Sequence, residues 1–459
     1  LATTAAEARR RHLLAALVVA AGALSCTSSS TVTPTPAPEA RPDSVAPPTE
    51  PVTPANAGAS RQAAEPVTPA NAGASRRANE PVVRVGLAVG VASARVGGAG
   101  ALELVSASGA SLGTIAAGRE ATVRQRGRDL ALESGGRTIG PAATISVRPA
   151  MDGGFVRANG RDYRGTLALF VTDSGLTLVN EVPLESYLPG VVGAEMGARP
   201  EEDGEALEAQ AIVSRTYAMR NSGRWQAQGF DYQAGVSDQV YAGIGGENPG
   251  ALQAVAATAG LIVTWNGRPI DAFFFSTCGG RTEAGQAVFR GANPAYLRSV
   301  SDLAPDGTAY CKLSPRFHWR EAYTGDALRA ALRRYLPAAA GIPASRVTTV
   351  RDLRVTARTE SGRAGTLAIV LPSGTVSVPG PAIRRALRRP NGEILRSTLF
   401  TLDVARVSDA VTGLIIEGSG AGHGVGFCQW GAVGRARAGQ RHDEIIAAYF
   451  PGTQIERVY

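Results

Sequence analysis

Only four cysteines occur in 459 residues, Cys26, Cys278, Cys311 and Cys428, and no two form a CxxC pair. The spacing supports neither a zinc ribbon nor a thioredoxin-like redox site. Histidine is as scarce. His12, His318, His423 and His442 include no HExxH, so metal-dependent hydrolysis has no footing and no metal or cofactor is expected. The net charge of +8 and pI of about 9.6 come from scattered Arg. Dense basic runs interleaved with aromatics are missing, which argues against nucleic acid as a partner. A basic balance also suits an anionic membrane surface or an acidic polymer such as a cell wall, but scattered surface Arg is the plainer reading.

Hydrophobic residues make up 44% and charged residues 19%, enough for a sizeable core. The length allows two or three domains, or one elaborate domain with a tail. The 55 Gly and 28 Pro imply many turns or a flexible segment.

Arg9, Arg10, Arg11 and His12 precede an apolar run from Leu13 to Leu24. The run is too short to span a membrane but has the length of a signal-peptide core, so residues 1–25 are expected to direct export. It ends in Ala23-Leu24-Ser25-Cys26, which resembles a lipobox and makes Cys26 the expected site of a lipid anchor. An ordinary secretory signal cleaved nearby is the alternative. Residues 26–80 are rich in Pro, Ala and Thr and carry a direct repeat of fifteen residues, Glu50-Pro-Val-Thr-Pro-Ala-Asn-Ala-Gly-Ala-Ser-Arg61 and Glu65-Pro-Val-Thr-Pro-Ala-Asn-Ala-Gly-Ala-Ser-Arg76. With almost no apolar periodicity, the unit reads as a disordered tether, not a solenoid.

The globular part is expected over residues 81–459, as an α+β fold. Short alternating segments such as Val82-Val-Arg-Val-Gly-Leu-Ala-Val and Thr166-Leu-Ala-Leu-Phe-Val, separated by Gly turns, make residues 81–180 β-rich. Gly109-Ala-Ser-Leu-Gly113 matches the G-x-S-x-G elbow of serine hydrolases. The elbow needs a strand-to-helix turn, and a short strand and another turn follow instead, so Ser111 is a poor nucleophile candidate.

The pattern changes at Glu181-Val-Pro-Leu-Glu-Ser-Tyr-Leu-Pro-Gly-Val-Val-Gly-Ala-Glu-Met-Gly197. Glu195 lies among Val191, Val192, Ala194 and Met196. A carboxyl desolvated by such neighbours holds its proton nearer neutral pH, as a general acid must. An exposed helix Glu is the plainer reading of the same local sequence. Asp203 can cap a following helix over Glu205 to Arg220. Gln210, Ser214 and Tyr217 form a polar stripe on it, lining a groove or facing solvent.

Together with Ala206-Leu-Glu-Ala-Gln-Ala-Ile-Val-Ser-Arg-Thr-Tyr-Ala, this block closely resembles the stage II sporulation protein D family, also called the amidase-enhancer family. Further blocks agree in order: Asp238-Gln-Val-Tyr-Ala-Gly243, then Phe274-Phe-Ser-Thr-Cys-Gly-Gly-Arg-Thr-Glu283, then Gly422-His-Gly-Val-Gly-Phe-Cys-Gln-Trp-Gly-Ala432. The resemblance implies an exported lytic transglycosylase that cleaves MurNAc–GlcNAc links of peptide-stripped peptidoglycan glycan strands. Glu195 would be its catalytic residue. It implies glycan-binding or Glu-orienting roles for Gln210, Arg215, Tyr217, Thr282, His423 and Gln429. The alternative role is a non-catalytic glycan-binding enhancer of a separate cell-wall amidase.

Some family members bind zinc through Cys and His near the central loop. Gly235-Val-Ser-Asp-Gln-Val-Tyr-Ala-Gly243 has neither, so that site is expected to be missing. After export the cysteines can pair. Cys278–Cys311 is the first choice of disulfide, with Cys278–Cys428 the alternative. Cys428 with His423 is a weaker thought for a nucleophile pair, lacking an acidic orienter. The expected division is a catalytic core over 181–310, an inserted α/β part over 311–415, and a C-terminal Gly-His-Gly part over 416–459.

Overall fold

The structure, a computed structural model, describes residues 79–289, 291 and 294–459. The expected signal peptide, the Cys26 anchor and nearly all of the tether lie outside the described residues. The fold is α+β, with a β-rich N-terminal region followed by mixed helices and strands.

From Val82 to Pro183 the chain is almost all strand and builds two sheets. One has seven strands, in the order Tyr232–Gln233, Val82–Val91, Gly175–Pro183, Thr166–Thr172, Thr144–Pro149, Leu102–Ser106 and Ser111–Ile115. The other has six, in the order Arg161–Tyr163, Val156–Ala158, Ser93–Gly97, Glu120–Arg126, Asp129–Ser134 and Arg137–Ala142. Alternation decides which faces meet. Val83, Val85, Leu102, Leu104, Leu167 and Leu169 from the first sheet, and Val96, Val123, Leu130 and Leu132 from the second, are buried in one core. Ser111 is exposed at the start of a hairpin strand, so no nucleophile elbow exists there.

The helices are α1 (Leu184–Met196), α2 (Gly204–Arg220), α3 (Pro249–Ala257), the single turn α4 (Gly285–Val288), α5 (Gly325–Ala340), α6 (Gly380–Ala386), α7 (Gln429–Arg437) and α8 (His442–Tyr449). Helices α1, α2 and α7 extend the core of the sheets. Asp203 stands at the N-cap of α2 but makes no side-chain cap, contrary to expectation. Its buried carboxylate accepts instead from Arg437 at 2.7 and 3.2 Å, which ties α2 to α7.

Residues 319–416 contribute a separate core, containing Trp319, Leu328, Leu332, Leu336, Leu367, Ile383 and Ile416. Helix α5 shows why. Thr324 caps it through Ala327 N–H, Leu328, Leu332 and Leu336 form one apolar stripe, and Gly341 ends it in the left-handed region. Among the described residues no helix is long and apolar enough to cross a membrane.

Candidate active site

Helix α1 carries Glu195 in its last turn and has no fully exposed residue from Leu184 to Met196. Gly190 and Gly193 give it a flat side. A Cβ on Gly190 would stand 2.7 Å from Gly243 O, and one on Gly193 would overlap Gly246 O. The backbone near 240–246 therefore lies directly on the helix, and Val240 N–H donates to Glu195 Oε1 at 3.0 Å.

Side chains on both flanks fix that loop. Asp238, with no exposed side-chain surface, accepts from Arg224 (2.8 Å) and Tyr217 (3.3 Å) on Oδ1, and from Trp225 Nε1 and Gln233 N–H (each 2.9 Å) on Oδ2. Gln239 accepts from Tyr187 O–H and donates to Ser214 O, both at 3.3 Å. Tyr241 donates to Asn180 Oδ1 at 2.9 Å, and Asn180 is itself fixed by the carbonyls of Arg164 and Thr166. The β-rich part thus sets where the loop meets Glu195.

Glu195 is half-buried. Its second oxygen, Oε2, accepts from Gln429 Nε2 at 3.4 Å, across from the start of α7. Burial pushes the carboxyl above its ordinary range, and the Val240 and Gln429 bonds only partly offset this. No cation pairs with it among the described residues, so burial outweighs the two neutral donors. Such a carboxyl can carry a proton on Oε2 while Oε1 receives the Val240 N–H.

The other expected site residues are placed unequally. Gln429 reaches Glu195. The Gln210–Ser214–Tyr217 stripe is interior rather than solvated: Gln210 donates to Ser214 Oγ at 2.9 Å, and Tyr217 braces Asp238. Burial beside Asp238 raises the Tyr217 hydroxyl to about 12, so it stays neutral. Arg215 does not face a groove. Fully buried, it makes two 2.8 Å bonds to Glu185 and donates to Leu261 O, bracing α2 against α1. Thr282, also fully buried, accepts from Val300 N–H at 2.9 Å and fixes two chain segments together. These two are corrections to the glycan-binding reading. Each polar head is spent inside the protein.

His423 accepts from Val425 N–H on Nδ1 (3.1 Å), so Nε2 carries the proton and donates to Phe274 O (2.9 Å). Both nitrogens are used by backbone, and desolvation lowers its pKa to about 4. A Cys428–His423 nucleophile pair is not formed. The expected Cys278–Cys311 disulfide is not formed either. Both are thiols, 3.4 Å apart, and Cys428 is a third buried thiol beside them. The residues missed by sequence reasoning are Asp238 and Val240, which act through a buried carboxylate and a backbone N–H. The motif Asp238-Gln-Val-Tyr-Ala-Gly243 was their only signal.

An open concavity of about 690 Å³ lies on the later part of the chain, lined by His318, Arg320, Arg358, Thr401 and Glu417 among others. None of its lining residues hydrogen-bonds Glu195.

A family profile described as stage II sporulation protein matches residues 172–265, the span holding Glu195 and its loop. A second, described as a domain of unknown function, matches residues 307–426. The chain is 31% identical over 301 residues to an uncharacterized protein of Brachyspira hyodysenteriae, covering 65% of this chain and 73% of that one. It is 30% identical over 292 residues to stage II sporulation protein D of Bacillus subtilis, covering 60% and 75%. To the amidase enhancer of Bacillus subtilis it is 26% identical over 301 residues, covering 58% of this chain and 40% of that protein.

Proposed function

The chain belongs to the stage II sporulation protein D family, and from that premise we propose that it is an exported lytic transglycosylase acting on peptide-stripped peptidoglycan glycan strands. The observation that carries the reading is the carboxyl of Glu195: half-buried, without a paired cation among the described residues, and held by one backbone and one side-chain donor. That is the environment of a general acid.

Glu195 would first donate the Oε2 proton to the glycosidic oxygen, breaking the bond from the MurNAc anomeric carbon. The resulting carboxylate, stabilised by Val240 N–H and Gln429 Nε2, would then take the proton of the same sugar's C6 hydroxyl. That oxygen attacks the anomeric carbon and closes a 1,6-anhydro ring. No water enters, so the second carboxylate of ordinary glycosidases is not required. Asp238 is not one in disguise, since four donors occupy its oxygens. Gln429 acts on Glu195 itself, as a positioning residue.

The likeness to the amidase enhancer favours a second reading, a glycan-binding protein that stimulates a separate amidase from a lipid anchor at Cys26. Digestion of purified peptide-stripped glycan by the wild-type chain and by Glu195→Gln, read by mass spectrometry, separates the two. Anhydro ends made by the wild type alone support the transglycosylase. Glycan binding with no cleavage by either protein overturns it in favour of the enhancer.

A further inference from the structure

Four side chains from four separate segments converge away from Glu195. Cys278, Asp302, Cys311 and Cys428 are each fully buried, and their Sγ and carboxylate atoms all lie within 4.8 Å of one another. Cys278 Sγ is 3.4 Å from Cys311 Sγ and 3.0 Å from Asp302 Oδ2. A tetrahedral zinc shell, with metal–sulfur bonds of about 2.3 Å and metal–oxygen bonds of about 2.1 Å, sets ligand atoms roughly 3.5–3.8 Å apart. The Cys278–Cys311 and Cys278–Asp302 separations fall a little inside that spacing and the remaining pairs lie within 4.8 Å, so a shift of up to about 1 Å brings the four atoms onto one ion.

We propose that Cys278, Cys311, Cys428 and Asp302 are the four ligands of a structural zinc-type divalent cation. Three sulfurs and one carboxylate oxygen make the soft-to-borderline, four-ligand set that this ion takes, and full burial leaves no open position for catalysis.

The surroundings are built for concentrated negative charge. Backbone N–H groups point at the sulfurs: Cys278 N–H to Cys428 at 3.1 Å, Gly280 N–H to Cys278 at 3.3 Å, and Gly431 N–H to Cys428 at 3.3 Å. The last places Cys428 Sγ at the N-terminus of α7, where the helix dipole favours a thiolate. Gly431 is required there, because a Cβ would overlap Asp302 Oδ2. The second carboxylate oxygen, Oδ1, accepts from Arg435 at 3.0 Å and Tyr449 at 2.7 Å, the outer-shell bonding of a ligating carboxylate.

Arg363 is the independent observation. It is 2% exposed and donates to Cys278 O at 2.6 Å, and its Nε has no partner. Among the described residues no carboxylate lies within ion-pair distance of it. Its other donors go to Arg281 O (3.0 Å) and Ser361 Oγ (2.9 Å). The one carboxylate it reaches through a bridge, Glu283 beyond Ser361, is shared with Thr359. A buried guanidinium thus stands beside the sulfurs without a direct counter-ion among the described residues. Three thiolates, a carboxylate and a divalent cation together carry two negative charges, and Arg435 and Arg363 are the buried cations beside them.

The site would clamp the segments around Cys278, Asp302 and Cys311 to the start of α7. Cys428 immediately precedes Gln429, so the clamp also holds the side chain that reaches Glu195. The metal site itself stands whatever chemistry Glu195 performs.

The test uses the chain with Cys26→Ser, leaving three thiols, purified without chelator from zinc-supplemented medium. Elemental analysis is expected to find about one zinc per chain, with the three thiols unreactive until the protein is denatured with chelator present. Cys428→Ser and Asp302→Asn are expected to lose the metal, while Cys311→His, which keeps a zinc ligand, retains it and confirms that a folded variant can bind. A metal-free wild type overturns the proposal, whether its thiols are free or a disulfide makes it two mass units lighter. So does zinc that persists in Cys428→Ser.

Discussion

Helix α1 begins and ends its ionisable chemistry with the same residue type, and the two glutamates are driven in opposite directions. Glu185 sits in the first turn, where the helix dipole favours a negative charge. Burial alone would raise its pKa, but two bonds from Arg215, with others from Tyr459 O–H and Gly260 N–H, hold it below its ordinary range. Glu195 sits in the last turn, where the dipole disfavours negative charge, and among the described residues it meets two neutral donors and no cation. Burial wins there and the pKa rises. Burial with and without a cation separates a structural carboxylate from one able to hold a proton.

The sharpest way to break the contrast is to remove each carboxyl's distinguishing feature. Glu195→Gln keeps the shape but cannot shuttle a proton. Its glycan-cleavage rate should fall by about 10²–10⁴, the usual worth of a general acid, with thermal stability held or increased. Loss of activity with a collapsed melting transition would instead make Glu195 structural. Arg215→Met should leave Glu185 buried without its counter-ion and cost about 3–5 kcal/mol in denaturant unfolding. Adding Glu185→Gln should recover much of that loss. If the double variant is as unstable as the single one, the pair is not what holds α1 to α2.

This division also shows what was legible in the sequence. The alternating strands and the Ala-rich α2 are local patterns, and they appear where periodicity and composition put them. The apolar neighbours of Glu195 hinted at its partial burial, while an exposed helix Glu was the plainer local reading. The fates of Arg215 and Thr282 were not, because their partners, Glu185 and the Val300 backbone, lie on other segments. The same motif string contains groups that face Glu195 and groups that hold the fold, and spacing does not distinguish them. The cysteine cluster was illegible for a similar reason: its four members come from segments that only the folded chain brings together.

Gly193→Ala probes how the loop distinguishes the two ends of α1. The added Cβ overlaps Gly246 O on the Glu195 side and leaves Arg215 untouched. Overpacking of this kind costs about 1–3 kcal/mol. Activity should fall further than stability explains, because Val240 N–H moves off Glu195. Full activity at normal stability would mean that the close approach is not needed.

The smallest effect is the most specific, a shift in pH dependence. Glu195 has a folded pKa above its ordinary value of 4.5. Its contribution to stability is therefore fully present below that value and is lost as pH rises through the raised one, while Glu185, depressed on folding, contributes above its ordinary value and loses this as pH falls. Glu195→Gln should remove only the first dependence. For catalysis the proton-bearing form is the donor, so cleavage should decline as pH rises through the folded pKa of Glu195. Gln429 donates to the charged carboxylate and lowers that pKa. Gln429→Leu should accordingly move the declining limb to higher pH, by about half a unit if the 3.4 Å bond is worth a little under 1 kcal/mol. A purely packing role for Gln429 would lower the rate at every pH and leave the limb in place.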